Sequence, residues 1–233
     1  MRVVAVVQAR TGSSRLPGKA LMEVGGAPLI VQVLRRVRRA TSVDETVLAT
    51  TNAEQDDTLA SLADAEGVSC FRGDEHDVLA RVLRAARKAN ADAIVRLTGD
   101  CPLIDPQVVD TVVRELLTHV GTCDYASNVV RRTFPRGLDV EALFTDTLSR
   151  VERLASSPEA REHVTWFIYR ERPDLFLARS VESPDDFSHL DWSVDTQEDL
   201  KRVRGLFDRL QLATRRVTWQ EVAVGDMSGA PST

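Results

Sequence analysis

A chain of 233 residues and 25.8 kDa, with 43% hydrophobic and 28% charged residues, is long enough for one α/β core and lies outside the disordered and fibrous classes. Its net charge of −5 comes with no like-charged block longer than the Arg35-Arg36 and Arg38-Arg39 pairs, which excludes an extended nucleic-acid footprint. Three cysteines, Cys70, Cys101 and Cys123, contain no C-x-x-C pair and exclude a disulfide framework or a structural zinc site.

The first element, Val3 to Val7, is a β-branched apolar run too brief and wrongly flanked for a signal peptide or a membrane span, so a cytoplasmic protein that meets no membrane is expected. A helical pattern follows at Leu29 to Arg39, a strand at Thr46 to Thr51, helices at Asp56 to Glu66 and Val78 to Ala89, and a strand at Ala93 to Leu97. This β-α-β-α rhythm, with strands apolar on both faces, predicts an α/β fold with a mainly parallel sheet and helices on each side. Ligands of such sheets bind beyond the carboxyl ends of the strands. Asp105, directly before Pro106, reads as the N-cap of a further helix. Residues 123 to 144 are strand-like, with turn signals at Ser127-Asn128 and Pro135-Arg136-Gly137, and predict an inserted β-region. Helices are expected at Thr145 to Leu154, Pro158 to Arg170 and Thr196 to Leu212, with extended chain at Leu175 to Val181. The small, polar residues after Val224 predict a single domain over 1–224 and a flexible tail over 225–233.

Three connections carry chemistry. Gln8-Ala9-Arg10-Thr11-Gly12-Ser13-Ser14-Arg15-Leu16-Pro17-Gly18-Lys19 places three cations among glycines and hydroxyls, a composition that suits a triphosphate. It is not a Walker A loop, because five residues separate Gly12 from Gly18 and Lys19 is followed by Ala20. Leu97-Thr98-Gly99-Asp100-Cys101-Pro102 follows an interior strand and sets Asp100 where a carboxylate can hold Mg²⁺ against phosphate oxygens or simply cap a turn. No histidine lies near Cys101 in sequence to activate it as a nucleophile. In Leu190-Asp191-Trp192-Ser193-Val194-Asp195-Thr196, a short strand running into a helix, Asp195 is either a second metal carboxylate or, with Thr196, a helix cap.

These segments, together with Phe71-Arg72-Gly73-Asp74-Glu75, Val78-Leu79-Ala80-Arg81, Phe134-Pro135-Arg136-Gly137-Leu138-Asp139-Val140-Glu141 and Arg161-Glu162-His163-Val164-Thr165, resemble the sugar cytidylyltransferases that make CMP-activated 2-keto-3-deoxy acids, in the branch of the spore-coat polysaccharide protein F. The resemblance spans nearly the whole chain. It implies a Rossmann-like, GT-A-like nucleotidyltransferase fold, a three-layer αβα arrangement with a mixed, mostly parallel sheet, and a homodimer joined through the inserted β-region. It implies CTP as donor, an acidic sugar as acceptor, Mg²⁺ as cofactor and no nucleic-acid partner. Carried over residue by residue, Arg10, Lys19 and Asp100 are catalytic, and Asp100 and Asp195 bind the metal. Ala9, Arg10, Gly12, Ser13, Ser14, Arg15, Lys19, Arg72, Arg81, Thr98 and Gly99 bind the nucleotide, while Asp139, Glu141, His163 and Asp191 face the acceptor. The Trp166-Phe167-Tyr169 stripe reads as core. One departure stands out: Asp191-Trp192-Ser193 and Gln197 replace the branch's arginine-aromatic-threonine lead-in and its proline, which bears on the acceptor more than on catalysis. Two rival readings are a glycosyltransferase using a nucleotide sugar, disfavoured because the sequence contains no Asp-x-Asp, and a cytidylyltransferase acting on a phosphorylated or phosphonate small molecule.

Overall fold

Burial of the first strand, β1 (Val3–Gln8), on both faces divides the core in two: Val3, Ala5 and Val7 enter one apolar cluster, and Val4 and Val6 enter the other. β-Branched residues pack well on a pleated surface, and a strand dry on both sides requires helices above and below it. The computed structural model describes residues 1–228. After β1 come the hairpin strands β2 (Glu23–Val24) and β3 (Ala27–Pro28), α1 (Leu29–Val37), β4 (Glu45–Thr51), α2 (Asp57–Ala65), β5 (Ser69–Gly73), α3 (Val78–Lys88), β6 (Ala93–Thr98) and α4 (Pro106–Thr118). The second half adds β7 (Tyr125–Ser127), β8 (Glu141–Phe144), α5 (Thr145–Leu154), α6 (Pro158–His163), β9 (Ala178–Ser180), α7 (Gln197–Leu210) and α8 (Trp219–Ser228).

The central sheet runs β5-β4-β1-β6-β8-β7-β9, with β8 alone antiparallel to the rest. Residues of α1, α2, α4, α7 and α8 fill one core cluster and residues of α3, α5 and α6 the other, which gives the expected three-layer αβα fold with a mixed, mostly parallel sheet. The carboxyl ends of β1 and β6 lie side by side, with Gln8 paired to Thr98, and the chain reverses direction at the β6–β8 neighbour. Among the described residues no helix is long and apolar enough to cross a membrane.

Three expectations are corrected and one strand is added. The added edge strand β5 carries no apolar run: four of its five residues keep solvent contact and only Gly73 is buried. The region 123–144 is no separate insertion: β7 and β8 pair with each other and with the main sheet, and between them Asn128 bridges the turn, donating to the Leu138 carbonyl at 2.7 Å and accepting from Val140 N–H at 2.9 Å. The helix over 158–170 breaks at Val164, whose φ of 56° closes a tight turn from Thr165 N–H to the His163 carbonyl at 2.6 Å. A β-branched residue there is strained. It is retained because Val164 is fully buried and Thr165 is drawn onto the buried Glu141 carboxylate. Finally, residues 225–228 of the expected tail are helical. Val222 and Ala223 are buried in the core, and Asp226 accepts from the Trp192 indole at 2.8 Å. Residues 229–233 of that tail lie outside the described residues.

Asp105 does cap α4, accepting from Gln107 N–H at 2.7 Å, and its other oxygen accepts from Trp219 N–H at 2.9 Å, so one buried carboxylate ties α4 to α8. Losing a cap costs about 1 kcal/mol, and orphaning a second buried donor costs about 1–3 kcal/mol. Asp105→Ala is therefore expected to lower the unfolding free energy by about 2–4 kcal/mol in urea titration; a change under 0.5 kcal/mol, well below that sum, contradicts the double role.

Candidate active site

The loop after β1 is held from beneath. Thr11, buried at its centre, donates its N–H at 2.8 Å and its hydroxyl at 2.6 Å to one oxygen of Asp56, and Thr51 donates to the other. Asp56 is fully buried; burial works against its charge, but the Thr11 and Thr51 donors overcome it and hold the carboxyl below its ordinary range. The Thr11 carbonyl in turn accepts from Ser13 N–H at 2.9 Å and Gly18 N–H at 3.0 Å, curling the segment, while Leu16 and Ala20 plug into the core. Gly18, at φ 72°, turns the chain so that Lys19 points inward.

Lys19 is the meeting point of three distant segments. Its ammonium donates to Asp100 at 2.8 Å, to Asp195 at 2.8 Å and to the Val194 carbonyl at 2.9 Å. Arg15 reaches the second oxygen of Asp195 at 2.9 Å. Burial opposes the ammonium, but the two carboxylates outweigh it and raise its pKa; in the same way burial opposes the Asp100 carboxylate while Lys19 keeps it below the ordinary range. Asp195 is free for this contact because α7 is capped by its neighbour: Thr196 and Asp199 form a reciprocal capping box. Val194 N–H donates to the Asp100 carbonyl at 2.9 Å and aligns the two carboxylate-bearing strands of chain. Gly99 permits the approach of β1, since a Cβ there would lie 2.7 Å from Ala9 Cβ and 3.0 Å from the Gln8 carbonyl.

A cleft of about 300 Å³ opens over these groups. Its further wall comes from α3 and α6 and holds Val78, Arg81, Glu162 and His163. Arg10 crosses it, 3.4 Å from Glu75 and 3.9 Å from Glu162. Arg81 is buried, donates to the Asp74 and Glu75 carbonyls, and leaves its Nε without a partner. Burial, aided by the nearby Arg10, lowers its pKa. Two carboxylates converging on one cationic point form a hard-oxygen donor set that fits Mg²⁺, which takes one or two protein carboxylates and completes its shell with phosphate and water. Among the described residues no group of three or more His, Cys, Asp or Glu could hold a metal by itself.

A family model described as cytidylyltransferase matches residues 4–208 of the chain. The chain belongs to the cytidylyltransferase family. It is similar to a solved cytidylyltransferase from Leptospira borgpetersenii, with a TM-score of 0.89 and 32% identity over 98% of this chain and 93% of that one. It is 31% identical to the spore coat polysaccharide biosynthesis protein SpsF of Bacillus subtilis over 89% of this chain and 87% of that protein. It is 32% identical to the 3-deoxy-manno-octulosonate cytidylyltransferase of Anaeromyxobacter dehalogenans (strain 2CP-1), over 88% of this chain and 98% of that protein.

Of the residues singled out from sequence, this cytidylyltransferase brings Ala9, Arg10, Gly12, Ser13, Ser14, Arg15, Lys19, Arg81, Thr98, Gly99, Asp100, His163 and Asp195 to the one cleft. Four others stand elsewhere. Arg72 does not reach it: its guanidinium donates to the Thr51 and Ala53 carbonyls and pairs with Asp57, bracing the chain between β4 and α2. Glu141 is buried beneath the site and its carboxylate is consumed by Arg96, Tyr125 and Thr165, so it is no acceptor contact. Asp139 forms a two-pronged pair with Arg132 at 2.6 and 2.8 Å, and Asp191 accepts from Ser193 N–H at 2.9 Å; neither lines the cleft. Cys101 is buried beside Asp100, and burial together with the Asp100 and Asp139 charges pushes its thiol well above the ordinary range, which excludes a thiolate nucleophile. Sequence reasoning missed Gln8, Glu162 and the buried anchor Asp56. Gln8 gave one signal, a polar residue closing an apolar strand.

Asp56 is expected to act through the loop it holds. Asp56→Asn should lower the unfolding free energy by about 2–3 kcal/mol at neutral pH, since a buried donor loses its acceptor. Because the folded carboxyl lies below 3.8, its contribution is complete above that pH and is lost as acid protonates it in the folded protein, so the gap between wild type and variant should close below pH 3.8. Denaturant titration at a series of pH values checks both; a gap independent of pH contradicts the charged role.

Proposed function

We propose that this cytidylyltransferase transfers CMP from CTP to an acidic sugar of the 2-keto-3-deoxy type, with Mg²⁺ and with release of pyrophosphate. The observation that carries the reading is one cleft lined by the Arg10, Arg15 and Lys19 cations, the Ser13 and Ser14 hydroxyls and the Asp100 and Asp195 carboxylates, with Lys19 and Arg15 paired directly to those carboxylates. Such a cleft suits a triphosphate carried with a divalent cation better than a neutral ligand. The relatives support the donor and the acceptor class: one is named a cytidylyltransferase of 3-deoxy-manno-octulosonate and another acts in spore coat polysaccharide biosynthesis.

In this reading an acceptor hydroxyl attacks the α-phosphorus as the bond to the pyrophosphate oxygen breaks, and the hydroxyl proton passes to water. Lys19, Arg10 and Arg15 neutralise the charge that gathers on the leaving pyrophosphate, and the loop N–H groups of Gly12, Ser14 and Arg15 position its oxygens, the Ser13 N–H being held by the Thr11 carbonyl. Asp100 and Asp195 would hold Mg²⁺, which would supply further charge neutralisation at the phosphates. Asp56 and Gly18 keep the loop in its curled form before substrate arrives, so little reorganisation remains for the reacting complex. The buried α3 wall with Arg81 takes the nucleoside, and the α6 side with His163 takes the acceptor.

The test is pyrophosphate release from each of four nucleoside triphosphates against a panel of nonulosonic and octulosonic acids and of phosphorylated and phosphonate small molecules. Release is expected with CTP and an acid sugar, lost in Asp100→Ala and reduced on the order of 10²–10³-fold in Lys19→Met, whose melting temperature should also fall because Asp100 and Asp195 lose the cation between them. Release confined to phosphorylated or phosphonate acceptors replaces the acceptor class, and silence throughout removes the reading.

A further inference from the structure

Gln8 closes β1 at the floor of the cleft, and its side chain is oriented from below. Arg96, on the neighbouring strand β6, donates its Nε–H to the Gln8 carboxamide at 3.0 Å. A guanidinium only donates, so the Gln8 atom facing it is the oxygen, and the amide nitrogen is the branch turned away from Arg96. No protein group among the described hydrogen bonds pairs with that nitrogen. Arg96 is itself fixed: its side chain is 14% exposed, and it pairs with Glu141 directly across the β6–β8 ladder. Glu141, 3% exposed, also accepts from the Tyr125 hydroxyl at 2.6 Å and from the Thr165 hydroxyl. Burial works against the Arg96 charge, and Glu141 overcomes it and raises its pKa. A satisfied buried network of this kind costs desolvation and returns rigidity, and here the rigidity ends on one side chain that meets the cleft.

The direction of that side chain matters. Arg96 draws the carboxamide across β6 toward β8, and Thr165, on the same carboxylate, stands two residues from His163 in the α6 wall. Arg81 belongs to α3, which packs over β1, β4 and β5, whereas the carboxamide is drawn the opposite way along the sheet order, toward β6 and β8.

We propose that Gln8 is a specificity-determining contact to the acceptor, donating its amide N–H groups to an acceptor oxygen, with Arg96 and Glu141 as positioning residues that fix which way the amide points. The inference rests on the acid-sugar reading: an acidic sugar offers a carboxylate and several hydroxyl oxygens, all able to accept, and an amide donor with its own oxygen already committed to Arg96 selects for acceptors of hydrogen bonds.

Gln8→Glu separates this from a structural role, since a carboxylate keeps the contact to Arg96 and removes both donors. Steady-state kinetics with the acid sugar on which the wild type turns over are expected to show an acceptor KM raised about 10- to 100-fold, as for a lost hydrogen bond to a charged group, with a CTP KM that rises at least tenfold less and an unchanged melting temperature. Gln8→Met should give the same split without added charge. Glu141→Gln should raise the acceptor KM by a smaller factor; if it fails to fold, Thr165→Val reads the same effect. An acceptor KM within twofold of wild type in Gln8→Glu overturns the proposal, as does an equal rise in both KM values, which would assign Gln8 to the nucleotide. Silence of the wild type across the acid-sugar panel removes the acceptor reading and this inference with it, whereas an active wild type with unchanged variants removes this inference alone.

Discussion

One ammonium group organises the site. Lys19 touches Asp100 and Asp195, which lie 81 and 176 residues further along the chain, and the carbonyl of Val194 beside them. Two carboxylates brought to a shared point repel, and at low dielectric that repulsion is large unless a cation stands between them. The lysine supplies it, and the surrounding chain is arranged to deliver it there: Asp56 anchors the loop, Gly18 turns it, and the α7 capping box takes Thr196 and Asp199 so that Asp195 stays available. Much of the second half of the chain is constrained by the need to bring residues 194 and 195 against the end of β6.

Beneath this charged crest lies a second polar layer of a different kind. Arg96, Glu141, Tyr125 and Thr165 are shut away from solvent for the most part, and each finds its partner within the group. Hydrophobic residues of the same volume would fill that space with less desolvation. The strained turn at Val164 points the same way, because the chain departs from a helical path to bring Thr165 onto Glu141 while His163 stays in the cleft wall. Both features accept a local cost to fix orientation above the sheet.

Most of the scaffold was legible in the sequence because its signals are local. The apolar β-branched run at Val3 to Val7, the periodic helices and the Asp105-Pro106 cap each follow from neighbouring residues, and β1, α1, α3, β6 and α4 appear where the pattern puts them. The first loop and the Asp100 turn stood out by composition, cations with glycines and hydroxyls after one strand and a carboxylate after another, and the fold brings them to one cleft. What failed depended on distant partners. Arg72 and Glu141 look like ligand groups until the Ala53 carbonyl, Asp57, Arg96 and Thr165 are folded against them. The helix break at Val164 is a tertiary override of an unbroken helical pattern. Strand β5 escaped because an exposed edge needs no apolar run, and α8 escaped because its burial hangs on a few residues among polar ones.

That last helix carries a practical message about where the molecule tolerates intervention. Trp219 packs between Phe134 and Phe187, its N–H is held by Asp105, and Asp226 holds the indole of Trp192, two residues before the carbonyl that receives Lys19. The final described turn of the chain is thus linked through Trp192 to the Lys19 cluster, although it contributes nothing to the cleft wall. Met1, two-thirds exposed, lies at the opposite end of β1 from the cleft. A label or tether that pries α8 from Trp192 therefore reaches the charged crest through the backbone of residues 192 to 194.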